Sequence, residues 1–195
     1  RSRIPRVFRA PLREMADGRP SYGRGMTRPL RHLPAHEVFH VTSRRVDRVA
    51  LYRDDDDRQA FLALLRKTSA RYRVRCLAWC LMGNHYHLLV RPATDQLSRA
   101  LQYLNGRYGA RYNRRQERCG HVLQGRPYIV RIADDRQLVA AARYIVDNPV
   151  RAGLCGAPED WPWSSYHELI GAVPPPGDLL TEPLWHLLRA SSRYW

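Results

Sequence analysis

The chain has 195 residues, 44% of them hydrophobic, which is enough for one domain with a substantial core and additional tails. It carries 33 Lys and Arg against 18 Asp and Glu, a formal net charge of +15, and Lys67 is the only lysine. Guanidinium groups bind phosphates and guanine bases through planar, bidentate contacts. The excess of arginine therefore predicts that the chain binds nucleic acid.

The same composition excludes membrane-spanning and disulfide-stabilised proteins. No segment approaches the ~18–20 apolar residues of a membrane span, and the N-terminus lacks the apolar core of a signal peptide. The four cysteines form no CxxC pair and no framework typical of secreted proteins, which indicates a reducing compartment. We therefore predict a cytoplasmic protein that does not contact a membrane.

Residues 1–30 are predicted to be a flexible basic arm outside the folded domain. Eight arginines lie there among Pro, Gly and Ser without lasting periodicity. A solvated arm and an arm that binds nucleic acid are both compatible with this composition. The folded domain is expected over residues 31–150, followed by a C-terminal extension over 151–195 that packs on it and ends in a short helix near 184–188.

Hydrophobic periodicity predicts the order β-α-β-β-α-β, followed by one more helix. Strands are expected at residues 36–43, 72–82, 85–91 and 127–132, and helices around 61–72, 97–108 and 134–148. This is the ferredoxin-like, split βαβ plan of an α+β protein.

Two local signals bound the helices. The acidic run 54–57 precedes the first helix, where N-capping and a favourable interaction with the helix dipole are favoured over a carboxylate metal cluster. Asn148-Pro149 is expected to end the last helix, because proline disfavours helical backbone at the residue before it.

A pair of histidines opens the third predicted strand. His85 and His87 follow the turn Gly83-Asn84 and precede an aliphatic run. Alternate residues of a strand share a face, so the two imidazoles lie about 7 Å apart along the backbone and can converge on one metal ion. Two histidines alone are a weak signal, and a third ligand is needed.

Tyr144 and Asn148 are the best candidates to complete such a site. Their i, i+4 spacing places them on one face of the last predicted helix, beside its apolar stripe. Asn148 could supply an amide oxygen to the metal while Tyr144 lies next to it. A packing role for Tyr144 and a C-cap role for Asn148 remain open from the spacing alone.

Three segments together resemble the single-tyrosine HUH transposases, and within them the REP-associated tyrosine transposases. The segment 85–87 matches the HUH motif, with Tyr86 at a position that is usually aliphatic. The segment 144–149 is similar to the helix that carries the family's nucleophile four residues before an amide ligand. The segment 160–166 resembles the family's Trp-Pro-aromatic-Ser element, and the likeness extends over residues 28–170.

The resemblance implies an HUH nuclease fold and transesterification on single-stranded DNA at palindromic, REP-like hairpins. Tyr144 would attack the scissile phosphorus, which gives a 5′-phosphotyrosine and a free 3′-OH. His85, His87 and Asn148 would hold one Mg²⁺ or Mn²⁺, with no small-molecule cofactor. Two imidazoles also suit Zn²⁺, and Mg²⁺ prefers oxygen ligands, so Mn²⁺ is the compromise.

Other residues compete for these roles. Tyr103, Tyr108 and Tyr112 are alternative nucleophiles, of which Tyr108 lies on an apolar stripe while the other two suit gripping or stacking on DNA. The predicted DNA contacts are arginines. Each of them could instead be an ordinary solvated charge on the surface. They are Arg44, Arg45, Arg48, Arg107, Arg111, Arg114, Arg115, Arg126 and Arg131.

A structural zinc site is the alternative chemistry. Cys76 and Cys80 are expected on one face of the second strand, together with Val74 and Ala78. Either thiol could join the two histidines on zinc, but a core role is favoured because zinc knuckles sit on turns.

Two alternative functions stay open at the level of sequence. The chain could be a catalytically idle protein that binds hairpin DNA, or a metal-dependent nuclease that activates water. Single-tyrosine transposases can exchange the tyrosine helix between protomers, whereas the REP-associated ones resemble monomers. The C-terminal extension favours a monomer.

Overall fold

The computed structural model describes residues 32–173. The predicted basic arm at 1–30 and the terminal helix near 184–188 lie outside the described residues. Within the described part of the chain, none of the helices combines the length and apolarity needed to cross a bilayer.

The elements follow the predicted order, and the α+β prediction is confirmed. Residues 32–173 form four strands and four α-helices, which are β1 (Val38–Arg44), α1 (Asp55–Tyr72), β2 (Val74–Leu81), β3 (His85–Pro92), α2 (Leu97–Arg115), β4 (Tyr128–Ile132), α3 (Asp135–Arg151) and α4 (Tyr166–Leu169). Two 3₁₀ turns, Val46–Arg48 and Pro158–Asp160, lie between them.

The strands form one sheet in the order β2-β3-β1-β4, in which every neighbouring pair is antiparallel. One face is covered by α1 and α2. Its apolar core includes Phe39 and Val41 of β1, Phe61 of α1 and Leu104 of α2. The alternate residues of β1, which include His40, point to the opposite face, where α3 packs against β2 and β3. The sheet therefore separates an apolar core from a face that carries polar side chains.

The acidic run before α1 caps the helix, as predicted. Asp54 is the N-cap, and its carboxylate accepts a hydrogen bond from the amide of Asp57 at 3.0 Å. Arg115 at the end of α2 donates to Asp54 and Asp57 at 2.7 and 2.6 Å. These carboxylates thus join the start of α1 to the end of α2.

The prediction that Val74, Cys76, Ala78 and Cys80 share one face is wrong. The register of β2 against β3 shifts between Cys76 and Ala78, because an extra residue, Leu77, bulges out of the ladder. One inserted residue reverses which face the following side chains take. Val74 and Cys76 therefore lie in the apolar core, whereas Ala78 and Cys80 lie on the face covered by α3.

The prediction that the last helix ends at Asn148-Pro149 is also wrong. Helix α3 continues through Pro149 to Arg151, and Pro149 is buried. A proline in the last turn removes one backbone donor, while later amides still close the helix end. Ala152 donates to the Asn148 carbonyl and Leu154 to the Pro149 carbonyl, both at 2.9 Å.

The Trp-Pro-Trp-Ser-Ser segment (161–165) lines the outer edge of β2. The amide of Leu81 donates to the Trp163 carbonyl at 2.8 Å, and the amide of Ser165 donates to the Trp79 carbonyl at 2.9 Å. The extension after α3 thereby satisfies backbone groups that an uncovered edge strand would expose.

Candidate active site

His85 and His87 lie on one face of β3, as their spacing predicted. Their Nε2 atoms are 3.1 Å apart. The turn before them is held by the main chain, since Arg45 donates to the Asn84 carbonyl at 2.9 Å and Leu51 to the Gly83 carbonyl at 2.8 Å. The sheet thus presents two imidazole nitrogens at one point.

His40 is a part of this site that sequence reasoning missed. It is buried on β1, and its Nε2 lies 2.9 Å from Nδ1 of His87, while Thr42 Oγ1 lies 3.1 Å from the same atom. The alternation of β1 already placed His40 and Thr42 on one face. Their approach to His87 depends on the antiparallel register of β1 with β3, which local sequence does not specify.

The three imidazoles are neutral at physiological pH. Burial lowers the pKa of His40 to about 4. Burial, and next the charge of Arg44, lowers the pKa of His85 to about 4. The pKa of His87 falls well below its ordinary value, chiefly through burial and then through its two histidine neighbours. Neutral imidazole is the form that binds metals.

The histidine pair fits a divalent ion. Nδ1 of His85 lies 2.7 Å from the Asn84 side-chain oxygen, which accepts its hydrogen and leaves the lone pair on Nε2. Two nitrogen ligands at adjacent corners of an octahedral ion are about 3.0 Å apart. Within residues 32–173, no group of three or more His, Cys, Asp or Glu side chains is placed to hold a metal. Among these described residues, a third protein ligand beside the pair would be of another type.

Tyr144 of α3 lies against the histidines. Its ring centroid is 5.9 Å from that of His87 and 6.0 Å from that of His40, both edge-on. Asn148 Nδ2 donates to the Tyr144 carbonyl at 2.6 Å. The structure therefore brings Tyr144 to the imidazoles and Asn148 to Tyr144. The role of Asn148 as a metal ligand stays a prediction.

Opposing effects act on the phenol of Tyr144. Burial raises its pKa above the ordinary value near 10. The charge of Arg151, a hydrogen bond with Asn148 and the charge of Arg44 act in the other direction. Arg151 also lies over the Tyr144 ring, with its guanidinium carbon 5.6 Å from the ring centroid. Arg151 was not among the predicted residues, because the helix was expected to end before it.

The competing tyrosines have other surroundings. Tyr108 is buried and its hydroxyl donates to the Leu51 carbonyl at 2.9 Å, so its predicted core role is confirmed. Tyr112 is buried beneath the guanidinium of Arg45 at 4.7 Å, and the prediction that it grips DNA is wrong. Tyr103 is half-buried beneath the guanidinium of Arg107 at 5.5 Å.

The predicted DNA-binding arginines 45, 115 and 131 form hydrogen bonds or ion pairs within the protein. Arg45 is buried and donates to the Ala50 carbonyl at 2.7 Å. Arg115 pairs with the carboxylates before α1, and Arg131 pairs with Glu37. We do not expect these three guanidinium groups to contact DNA while those bonds persist.

The other six predicted DNA-binding arginines lie on β1, on the turn after it, on α2 and before β4. Arg44 is the cross-strand neighbour of His85 in the β1–β3 pair, so the two residues share the face of the candidate site. Arg48 belongs to the 3₁₀ turn after β1. The exposed ones are Arg107, Arg111 and Arg114 of α2, and Arg126 before β4. Of the whole set, Arg44 is therefore the arginine nearest to the imidazoles in the strand register.

The positions of Cys76 and Cys80 argue against the alternative of a structural zinc site. The bulge in β2 places Cys76 on the opposite face from the histidines. Cys80 lies beside His87, but its Sγ is 3.6 Å from Sδ of Met82, and burial raises its thiol pKa. A protonated, buried thiol is a poor metal ligand.

Comparisons with known proteins agree with these observations. The sequence model of the transposase family described as IS200-like matches residues 34–148. A relative from Haemophilus influenzae, named as a REP-associated tyrosine transposase, is 28% identical over 129 residues, which are 60% of this chain and 73% of that protein. A solved REP-associated tyrosine transposase bound to a REP hairpin superposes with a TM-score of 0.65 at 18% identity, over 81% of this chain and 93% of that one. The fold predicted from the resemblance is therefore confirmed.

Proposed function

The chain belongs to the IS200-like transposase family, and we propose that it cleaves and rejoins single-stranded DNA at hairpins through a covalent bond to Tyr144. The observation that carries this proposal is the packing of the Tyr144 ring against His87, at 5.9 Å between centroids. A phenol beside a pair of neutral imidazoles combines a nucleophile with two metal ligands. REP-like hairpins are the substrate that we infer from the solved relative.

The reaction is a transesterification in which bonds are exchanged without net hydrolysis. The Tyr144 oxygen forms a bond to the scissile phosphorus, and the bond from phosphorus to the 3′ oxygen breaks. The phenol loses its proton and the leaving 3′ oxygen gains one. The products are a 5′-phosphotyrosine and a free 3′-OH, and attack by a 3′-OH on the phosphotyrosine reverses or redirects the reaction.

Preparing the nucleophile is the main cost in this scheme. A phenol with a pKa near 10 is roughly 0.1% ionised at pH 7, so forming the phenolate costs about 4 kcal/mol. Burial adds to that cost at Tyr144, while Arg151, Asn148 and Arg44 reduce it. Positive groups around the phenol are therefore part of the proposed mechanism.

We infer that His85, His87 and Asn148 hold one Mg²⁺ or Mn²⁺. The 3.1 Å separation of the two Nε2 atoms supports this inference. The ion would polarise the phosphoryl oxygens and neutralise charge that develops on them. His40 and Thr42 keep the ring of His87 in place by contacts to its Nδ1.

A site built within one chain supports a monomer. Tyr144 reaches the imidazoles of its own chain, so no second protomer is needed to supply the nucleophile. DNA would then be bound by arginines of the same chain, of which Arg44 is closest to the site in the strand register. We infer that the protein acts in the cytoplasm, where its substrate and reduced cysteines are both found.

Substituting Tyr144→Phe tests the proposal. A 5′-tailed, labelled hairpin is incubated with Mn²⁺, and covalent complexes are separated on denaturing gels. We expect the wild type to form an adduct and the Phe variant to form none, with hairpin affinity within about twofold of wild type. Tyr103→Phe is the matched control and should leave the adduct intact, because Tyr103 stacks with arginines rather than histidines.

Two outcomes would contradict this function. If the wild type binds hairpins but never forms an adduct or a nick, the chain is a DNA-binding protein. If it nicks the DNA without an adduct and Tyr144→Phe still cuts, the nucleophile is water.

A further inference from the structure

The end of α3 brings a second functional group to Tyr144. Because the helix continues through Pro149, Arg151 lies seven residues after Tyr144 and hence about two turns along the same face. Its guanidinium carbon is 5.6 Å from the Tyr144 ring centroid. Arg151 lies three residues beyond the segment that the family model matches. A helix that ended at Pro149 would not fix this contact.

The surroundings of Arg151 leave its charge available at the surface. Arg151 is exposed, whereas Tyr144 is half-buried. Asp147, one turn earlier, is the acidic side chain whose charge interacts with Arg151, and Arg143 shares that interaction. A guanidinium that lies over an aromatic ring still directs its N–H groups outward at its edges.

The charge of a second cation, from the sheet, also acts on the phenol. Arg44, at the end of β1, lies opposite His85, and its charge acts on both His85 and Tyr144. The phenol therefore has one arginine from β1 and one from α3. A phosphate attacked by the Tyr144 oxygen would come close to both.

We propose that Arg151 binds the phosphate that Tyr144 attacks, an assignment that rests on the proposed function. The planar guanidinium can donate two parallel hydrogen bonds to non-bridging phosphoryl oxygens. Those oxygens carry the charge of the transition state, and a donor placed beside them lowers its energy. The same guanidinium remains next to the phosphate after it is transferred to Tyr144.

The alternative is that Arg151 only holds the Tyr144 ring in place. Glutamine distinguishes the two roles, because its planar amide can lie on the ring but carries no charge. Lysine keeps the charge and loses the planar fork. Arg136→Gln is the matched control, since Arg136 is an exposed arginine in the first turn of the same helix, about 12 Å from Tyr144 along the axis.

The experiment removes the charge of Arg151 and the charge of the scissile phosphate, separately and together, and compares hairpin binding. The scissile linkage is mapped from the length of the adduct that the wild type forms. Two hairpins are then made, one native and one with a neutral methylphosphonate at that linkage. Their dissociation constants are measured without metal in a Tyr144→Phe background, which prevents cleavage, for the Arg151 protein and for R151Q, R151K and R136Q.

We expect the methylphosphonate to weaken hairpin binding about tenfold for the protein that keeps Arg151 and for R136Q. For R151Q the methylphosphonate should weaken binding less than twofold. R151K should keep most of the tenfold sensitivity. With Tyr144 restored, R151Q should form the adduct at least tenfold more slowly, and R151K should recover part of the rate.

An equal methylphosphonate effect in R151Q and the Arg151 protein overturns the inference while leaving the proposed function intact. Absence of any adduct in the wild type overturns both. Thermal unfolding of R151Q and R151K checks that each variant is folded. If R151Q does not fold, the methylphosphonate sensitivity of R151K still tests the inference.

Discussion

The two ring nitrogens of His87 have different partners, and this asymmetry gives His40 a role. Nε2 faces His85, whereas Nδ1 faces His40 Nε2 at 2.9 Å and Thr42 Oγ1 at 3.1 Å. A metal needs the lone pair of Nε2, so Nδ1 must carry the hydrogen and donate it. In the proposed metal site His40 Nε2, the nearer partner, would accept this hydrogen and orient the ring of His87.

Replacing His40→Ala should therefore weaken Mn²⁺ binding about 10- to 100-fold. The affinity is measured by isothermal titration calorimetry, and hairpin binding without metal should be unchanged. His40→Gln keeps an acceptor and should recover part of the affinity. Thr42→Ala is the control, and its longer contact predicts a smaller loss. An Ala variant at position 40 that binds Mn²⁺ as tightly as the wild type would show that Thr42 suffices.

Residue-level prediction succeeded where the spacing within one element decides the outcome. His85 and His87 share a face because a strand alternates, and Tyr144 and Asn148 are adjacent because a helix repeats. His40 and Arg151 depend on tertiary facts. His40 needs the register of two strands distant in sequence, and Arg151 needs a helix that continues past a proline.

At the scale of elements, the β2 edge depends on Ser165. Its hydroxyl accepts a hydrogen bond from the Trp79 amide at 2.9 Å, and the Ser165 side chain is buried. Removing the hydroxyl leaves a backbone donor of the edge strand without that partner. Ser165→Ala should lower the free energy of unfolding by about 1–3 kcal/mol, as measured by urea denaturation.

Ser164→Ala is the matched control for this edge. The Ser164 hydroxyl makes two longer bonds, donating to the Trp161 carbonyl at 3.4 Å and accepting from the Tyr166 amide at 3.3 Å, so its loss should cost less. Equal losses for the two variants would mean that the edge is held by the main-chain bonds of the segment and not by the Ser165 side chain.

The start of α1 should make stability depend on pH. The hydrogen bond with Arg115, and next that with the Asp57 amide, lowers the pKa of Asp54 to about 2. The carboxylate is therefore more acidic in the folded chain than in the unfolded one, where its pKa is near 3.9. Its contribution is fully present above pH 4 and is lost as the pH falls towards 2.

Asp54→Asn should reduce the drop in melting temperature between pH 5 and pH 2, because a neutral cap has no such charge to lose. Asp135→Asn, an exposed first-turn residue of α3, is the control and should change this drop less. Identical pH profiles of the wild type and Asp54→Asn would contradict the role of the Asp54–Arg115 pair.

Element order and type could be predicted because hydrophobic periodicity and caps are local signals. Asp54 and Asp134 both cap helices through their side chains, as acidic residues before an apolar pattern indicate. The bulge at Leu77 could not be predicted, since an extra residue in an apolar strand leaves no trace in composition. It nonetheless separated Cys76 and Cys80, which were expected on one face, and left Cys76 on the face opposite the histidines.

For the whole molecule, the net charge of +15 predicts that DNA affinity falls steeply with salt. Which arginines cause the dependence is a structural question. Arg115 and Arg131 are paired with carboxylates, whereas Arg107, Arg111 and Arg114 are exposed along α2. A guanidinium that already neutralises a carboxylate releases fewer counterions when DNA binds.

The salt dependence should therefore separate the two groups. Each contact to a single-stranded phosphate contributes about 0.7 to the slope of log K against log salt concentration. R107Q, R111Q and R114Q together should reduce the slope by about 2 if all three contact DNA. R131Q is the paired control and should reduce it by well under 0.7, since Glu37 already engages that side chain. The slopes are measured by fluorescence anisotropy with Tyr144→Phe and a labelled hairpin. An unchanged slope in the triple variant would mean that α2 does not contact the DNA. The DNA would then be expected on the face of the sheet that carries Arg44 and His85.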